Sequence, residues 1–389
     1  METNFVRIFE IFKQHFPENP SMFFSPGRLN FIGEHIDYND GFVLPAAINK
    51  GIWFAIQKNN HNTIHCIAAD LNEVLLIQVN EIKKQQGWHN YILGVLHVLA
   101  EKHIEIKGFN CVFGGNLPQG AGLSSSAAIE AGLLFALNEV FQLKLDLLQL
   151  ALLAQSAEHS FPGVQCGIMD MFANLFGKTN NAIWLDCVSL QHRTVPLYLD
   201  AYTIAIINSK VHHNLASSEY NKRRLECNEG LQLLTSLDKK FNSFRYIMPS
   251  DVITHQFILP ATIYKRCLFV TEEIKRVKKA VELLDHKNVE AFGKLLFETH
   301  EGLKNLYEVS CPEIDFLVNE AKNYPQVVGA RLMGGGFGGS VICIVQKNVA
   351  STIINAIISK YQQQFNINAE AYFVQPVNGT HEILSTSIS

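Results

Sequence analysis

Strand-like runs at both ends of the chain, with helices massed between them, predict an α+β protein with mixed sheets rather than a regular βαβ array. Three observations carry that expectation. β-branched and aromatic runs crowd residues 22–115, helical patterns dominate from residue 217, and strand character returns after residue 327. The 389 residues, 48% of them hydrophobic, can bury a large core and predict two lobes. The division falls near residues 190–200, where the helical half begins, giving lobes 1–195 and 196–389.

In chain order, residues 1–16 space Glu2 and Glu10 among apolar positions as an amphipathic helix, with no small-residue cleavage site of a secretory signal. The runs MFFS, FVLPAAI, GIWFAIQ, TIHCIAA, EVLLIQV and FNCVFGG follow as strands. A helix is expected from Ser126 to about Leu143, straight out of a glycine-rich turn, and another from Leu145 to about Glu158 with Asp146 as a cap. AIWLDCV and YTIAIINS read as strands. Helices follow over 217–234, 271–286, 289–303 and 313–324, the last with Pro312 in its first turn. VVGARLM, SVICIVQ and AEAYFVQPV close the chain as strands, with a helix over 350–361 between the last two.

Composition excludes several functional classes. Charged residues are 17% and the formal net charge is −4, so no basic face addresses nucleic acid or an anionic membrane. No apolar run is long enough to cross a bilayer. The eight cysteines are scattered without a CxxC pair, which reads as reduced core residues of a cytoplasmic protein rather than a metal cluster. A small-molecule partner is the expectation.

Two glycine patterns are decoys. FGKT at 176–179 would end a Walker loop only if residue 172 were glycine, and it is Phe172. GGGFGG at 334–339 satisfies GxGxxG, but a strand follows it where a dinucleotide fold needs a helix.

Three other stretches carry chemistry. In QGAGLSSSAA, residues 119–128, Gly120 and Gly122 let backbone amides approach a polyanion, and Ser124, Ser125 and Ser126 open a helix whose free N–H groups attract negative charge. A plain serine-capped turn is the alternative. In PGRLNFIGEHIDYNDGFVLP, residues 26–45, Arg28, Glu34, His35 and Asp37 crowd beside strand-like sequence. Carboxylates and an imidazole in that density suit a hydroxyl-rich ligand, against the alternative of a solvated loop. Asp170, flanked by Ile168, Met169, Met171 and Phe172, must be paired, capping or functional, because an unpartnered buried charge is costly.

Together these stretches resemble the galactokinases of the GHMP small-molecule kinase superfamily. PGRLNFIGEHIDYNDGFVLPAAI is similar to the family's sugar-binding signature, GNLPQGAGLSSSAA to the superfamily's ATP loop and CGIMD to the catalytic-aspartate segment. SEYNKRR and ARLMGGGFGGS complete the set. The resemblance implies a two-lobed GHMP kinase fold with the active site in the cleft between lobes. It also implies transfer of the ATP γ-phosphate to the C1 hydroxyl of galactose, with Mg²⁺ as cofactor.

By the same resemblance Asp170 is the catalytic base and Arg28 its partner and transition-state stabiliser. Glu34, His35, Asp37, Gly167, Asp170 and Tyr220 bind the sugar. Gly120, Ala121, Gly122, Leu123, Ser124, Ser125 and Ser126 wrap the ATP phosphates, Trp88 and Tyr91 stand at the adenine, and Ser126 and Glu158 hold the metal. Two residues depart from the pattern: Met171 where many relatives have glutamine, and Met333 where many have threonine. The first bears on hydrogen bonding behind the sugar or Asp170, and so on fine specificity and pH optimum. An N-acetylgalactosamine or other sugar 1-kinase, and a non-catalytic sensor of galactose and ATP, are the competing readings.

Overall fold

The computed structural model describes residues 2–59, 61–118, 120–212 and 216–384. Helix α1 (Glu2–His15) leads into β1 (Ser21–Asn30), and a run of turns precedes β2 (Phe42–Val43) and the long β3 (Pro45–Lys58). β4 (Thr63–Ala68), β5 (Glu73–Gln78), α2 (His89–Glu101) and β6 (Phe109–Gly115) follow. Three helices come next, α3 (Ser125–Phe141), α4 (Leu147–Ser160) and α5 (Met169–Phe176), and then β7 (Asn181–Asp186), β8 (His192–Pro196) and β9 (Tyr202–His212). The helical half comprises α6 (Ala216–Leu237), α7 (Pro249–Thr254), α8 (Ala261–Asp285), α9 (Val289–Asn305) and α10 (Pro312–Lys322). β10 (Val327–Met333), β11 (Gly338–Gln346), α11 (Ala350–Phe365), β12 (Glu370–Val374) and β13 (His381–Glu382) end the described chain.

The strands form three sheets, ordered β13-β1-β3-β6-β4-β5, β10-β11-β9-β12 and β2-β7-β8. All pairings are antiparallel except β4 with β6. One apolar core lies between the six-stranded sheet and α2 to α5, a second packs α1 on its other face, and the largest joins the four-stranded sheet to α6 and α8 to α11. α3 is buried almost all round because it is sandwiched between the sheet and the other helices, which explains why its apolar residues show so little sidedness.

The local reasons are readable at several ends. Asp146 and Gln149 form a reciprocal capping box on α4: Gln149 N–H donates to Asp146 Oδ1 at 2.8 Å and Asp146 N–H to Gln149 Oε1 at 2.9 Å. Pro312 is the first residue of α10, where its missing N–H costs nothing. Helix α2 has no side-chain cap to announce it and was not anticipated; α8 begins ten residues before the expected 271. The eight cysteines are unpaired; six are buried, whereas Cys166 and Cys187, also expected in the core, are only half-buried, and no helix among the described residues is long and apolar enough to cross a membrane.

The tail does not stay with the second half of the chain. β13 pairs with β1, and Thr380 donates to Asn174 Oδ1 on α5 at 2.6 Å. Asn174 in turn donates to Pro26 O and to Ser25 Oγ on β1. This buried polar cluster fixes α5 against β1, the two elements that carry Asp170 and Arg28.

Candidate active site

Arg28 is aimed by an irregularity in its strand. The register of β1 against β3 shifts between Pro26 and Arg28, a bulge at the place where proline offers no ladder N–H. Gly27 permits it, since a Cβ there would lie 2.4 Å from Leu117 Cδ2 and 2.8 Å from Leu123 O. The bulge brings Arg28 N within 3.2 Å of Leu123 O and Arg28 Nη1 within 2.6 Å of Gly122 O, so the strand grips the 120–126 loop by main chain and side chain.

The same guanidinium forms a two-pronged ion pair with Asp170, in the first turn of α5. Nε donates to Oδ1 at 2.6 Å and Nη2 to Oδ2 at 2.8 Å. Burial opposes the charge on Arg28, but contact with Asp170 outweighs it and keeps the guanidinium protonated. Ser124 also donates to Asp170 Oδ2. The residues expected at positions 28 and 170 therefore meet, and they meet at the phosphate-type loop.

In that loop Gly120 and Gly122 take φ of 68° and 67°, the left-handed region in which glycine is free of strain. Ser124 is also left-handed, at 57°, and α3 opens after it without a side-chain cap, which leaves its first N–H groups available to an anion. Residue 119 lies outside the described residues. A cavity of about 440 Å³ runs along this loop and the 333–339 segment, and no lysine or arginine is among the described residues lining it.

A second cavity, of about 180 Å³, adjoins the first; Val164, Tyr220, Gly334 and Gly335 line both. Its wall includes Arg28, Glu34, His35, Asp37, Gly167 and Asp170. The structure thus brings together all of the sugar-binding residues expected from the sequence. Glu34 Oε1 is taken by Arg331 Nη2 at 3.1 Å and Gly334 N at 2.9 Å. Burial, with the charges of Asp170 and Glu34 beside it, pushes the Asp37 carboxyl up to about 7. Gly167 is needed for space: a Cβ would stand 1.9 Å from Asp37 Oδ2.

Glu158 on α4 sits with Ser126 and the fully buried Glu130. Among the described residues, Glu158 Oε2 and both Glu130 oxygens are buried without a donor in hydrogen-bond geometry, and the two carboxyl groups face each other. Burial and the neighbouring Glu158 push Glu130 up to about 11, and burial raises Glu158 as well. Orphaned carboxylate oxygen beside a serine hydroxyl at a helix start fits a hard divalent cation that takes its remaining ligands from phosphate.

Three expected positions have these surroundings. Trp88 lines neither cavity; its indole N–H donates to Glu73 Oε2 at 2.6 Å and its ring packs in the core against Phe113. Ser124 directs its hydroxyl to Asp170. Met171 is buried in the core while Met169 faces the sugar-sized cavity, so the departure at 171 does not touch that cavity.

Sequence reasoning missed Arg331 and Arg223. Fully buried Arg331 donates from Nε to Phe31 O at 2.6 Å and from Nη2 to Asn30 O at 2.5 Å as well as to Glu34, tying β10 to the end of β1. Arg223 on α6 donates to Tyr307 O at 2.8 Å and Glu308 O at 2.9 Å. An arginine inside the apolar strand VVGARLM was the available signal for the first. It obeys the same logic that singled out Asp170.

Comparison with known proteins agrees with this geometry. Residues 10–58 match the galactokinase galactose-binding signature, residues 90–178 the GHMP kinases N terminal domain and residues 280–363 the GHMP kinases C terminal domain. The chain is 40% identical over 359 residues to a galactokinase of Thermotoga maritima, covering 92% of this chain and 99% of that one. It is 38% identical over 365 residues to a galactokinase of Clostridium tetani, covering 93% of each. Among solved structures, Lactococcus lactis galactokinase complexed with galactose superposes with a TM-score of 0.92 at 33% identity, covering 97% of this chain and 99% of that one. Mevalonate kinase of Methanococcus jannaschii shares the fold at a TM-score of 0.67 and 21% identity, covering 92% and 99%. The fold is the mixed α+β fold of the GHMP kinases, and the chain belongs to the galactokinase family.

Proposed function

We propose that this chain transfers the γ-phosphate of ATP to the C1 hydroxyl of D-galactose, giving α-D-galactose 1-phosphate and ADP. It would work in the cytoplasm as two lobes, 1–195 and 196–389, with the reaction in the cleft between them. One observation carries the reading: the Arg28–Asp170 ion pair lines a small carboxylate-rich cavity that adjoins a larger one bounded by the Gly120 and Gly122 loop, which leads into an uncapped helix start.

Phosphoryl transfer asks the protein mainly for alignment and charge compensation. Among the described residues, Asp170 Oδ2 already accepts from Arg28 and Ser124, whereas Oδ1 accepts from Arg28 Nε alone, so Oδ1 is the oxygen assigned to take the C1 hydroxyl proton. That proton moves late, as the hydroxyl acidifies on bonding to phosphorus. Of the guanidinium donors, one N–H on each of Nη1 and Nη2 remains uncommitted and is assigned to the transferring oxygens. Gly120 to Ser126 give backbone N–H groups to the phosphates, with no lysine required. Mg²⁺ held by Ser126 and Glu158 would supply the rest of the charge neutralisation. Glu34, Asp37 and Tyr220 are the groups assigned to hold the sugar.

With ATP and Mg²⁺, the purified protein is expected to release ADP when D-galactose is added, and more slowly or not at all with N-acetylgalactosamine. No ADP with any monosaccharide would favour a sensor. Faster release with N-acetylgalactosamine would reassign the substrate.

Two further results are expected. Sugar hydroxyls donate to Asp37 in its ionised form, and its carboxyl sits at about 7 in the empty protein. Below that pH galactose must first displace a proton, so affinity should climb between pH 6 and 8 by up to about tenfold per unit on the acid side. Calorimetry in buffers of different ionisation enthalpy should register proton release at pH 6; a flat affinity with no release would reject Asp37 as a ligand. Gly167→Ala forces the Asp37 carboxylate aside and should raise the galactose KM roughly tenfold, the worth of one charge-assisted hydrogen bond. An unchanged KM would count against that contact.

A further inference from the structure

His35 and Glu34 hold the glycine run as well as facing the sugar cavity. Gly334 N–H donates to Glu34 Oε1 at 2.9 Å, and His35 Nε2 lies 3.1 Å from Gly335 O. Gly334 and Gly335 line both cavities, so two consecutive residues of the sugar loop fix the common wall by one N–H and one C=O.

The ring of His35 has one consistent protonation. A carbonyl only accepts, so Nε2 carries the hydrogen and donates to Gly335 O. Burial pushes the ring down to about 4, so it is neutral and Nδ1 is an acceptor. The Tyr38 hydroxyl, 2.6 Å away, must then donate to Nδ1. Tyr38 Oη is left to accept from the Tyr307 hydroxyl at 3.1 Å, and Tyr307 Oη to accept from the Cys227 thiol at 3.2 Å. Arg223 clamps the far end through the carbonyls of Tyr307 and Glu308. His35 has φ of 62°, a strained backbone for a side chain of its size, retained where the ring is held from both sides. Neither ring nitrogen remains for a ligand.

We propose that His35 is a positioning residue that, with Glu34, locks Gly334 and Gly335 as the shared wall of the two cavities and so couples sugar binding to nucleotide binding. The proposal rests on the sugar-kinase reading of those cavities. A ligand that bears on this fixed wall from one cavity is felt in the other, and by linkage each ligand must change the other's affinity by the same factor, here in the direction of tightening.

The test is calorimetric titration of D-galactose and of magnesium adenylyl imidodiphosphate, each alone and in the presence of the other. Wild-type protein should show mutual tightening of roughly fivefold or more. In His35→Ala, and in Tyr38→Phe, which removes the hydroxyl that fixes the ring, the factor should fall to about unity. His35→Gln, whose amide nitrogen offers a hydrogen to the Gly335 carbonyl, should recover most of the coupling, which a purely structural role would not grant. Coupling intact in His35→Ala, with galactose affinity alone down by about tenfold or more, would make His35 a direct sugar ligand and overturn the proposal. Wild-type protein that binds both ligands independently would overturn it too, with the functional reading left standing. Wild-type protein that binds no galactose would bring down both.

Discussion

Asp170→Asn is expected to lower kcat by roughly 10²- to 10⁴-fold, the usual contribution of a positioned general base. The substitution preserves shape, and the amide oxygen can still accept from Arg28, but an amide takes no proton from the C1 hydroxyl. Galactose should still bind, since Glu34, Asp37 and Tyr220 are untouched. Some stability should be lost as well. One guanidinium N–H that met a carboxylate oxygen at 2.6 or 2.8 Å would face an amide NH₂, at a cost of about 1–3 kcal/mol. Turnover, galactose affinity and thermal unfolding measured on one preparation would separate these effects. Near-wild-type kcat would falsify the base assignment.

Arg28→Ala is expected to lower kcat by roughly 10²-fold or more, as for removal of a preorganised charge at the reacting group. It severs the hold on Asp170 and the hold on the Gly122 carbonyl in one step, so the base and the phosphate loop both lose their anchor. Arg28→Lys should rescue little, because a single ammonium cannot make two parallel bonds to a carboxylate while also reaching Gly122 O. The partition between constants is the decisive measurement. If the loss falls on KM with kcat preserved, Arg28 positions substrate and the transition-state role is withdrawn.

Much of the site was legible because ionisable residues stood where packing would not choose them. Asp170 amid Ile168, Met169, Met171 and Phe172 demanded a partner, and Arg28 is that partner. The glycines at 120 and 122 announced a turn, and the structure has one with both in the left-handed region. What escaped was whatever depends on which atom faces which. The hydroxyl of Ser124 serves Asp170, and Trp88 turns its N–H to Glu73, because local side-chain competition decides both and leaves no trace in spacing. Among the elements, α2 was missed for want of a side-chain cap, whereas the Asp146 to Gln149 pair fixed the start of α4. The pairing of β13 with β1 was also out of reach, as two residues of strand carry no periodicity.

The cluster of Ser25, Pro26, Asn174 and Thr380 has a consequence for biosynthesis. Every residue assigned to chemistry has been translated by the time synthesis passes position 335, yet the helix bearing Asp170 is pinned to the strand bearing Arg28 partly by Thr380. A nascent polypeptide stalled between those points would own the full set of reacting groups without the fastening that aligns them. The fit of base to arginine is thus completed by a stretch of chain made long after both of them, so the site reaches its final alignment once residue 380 has been added.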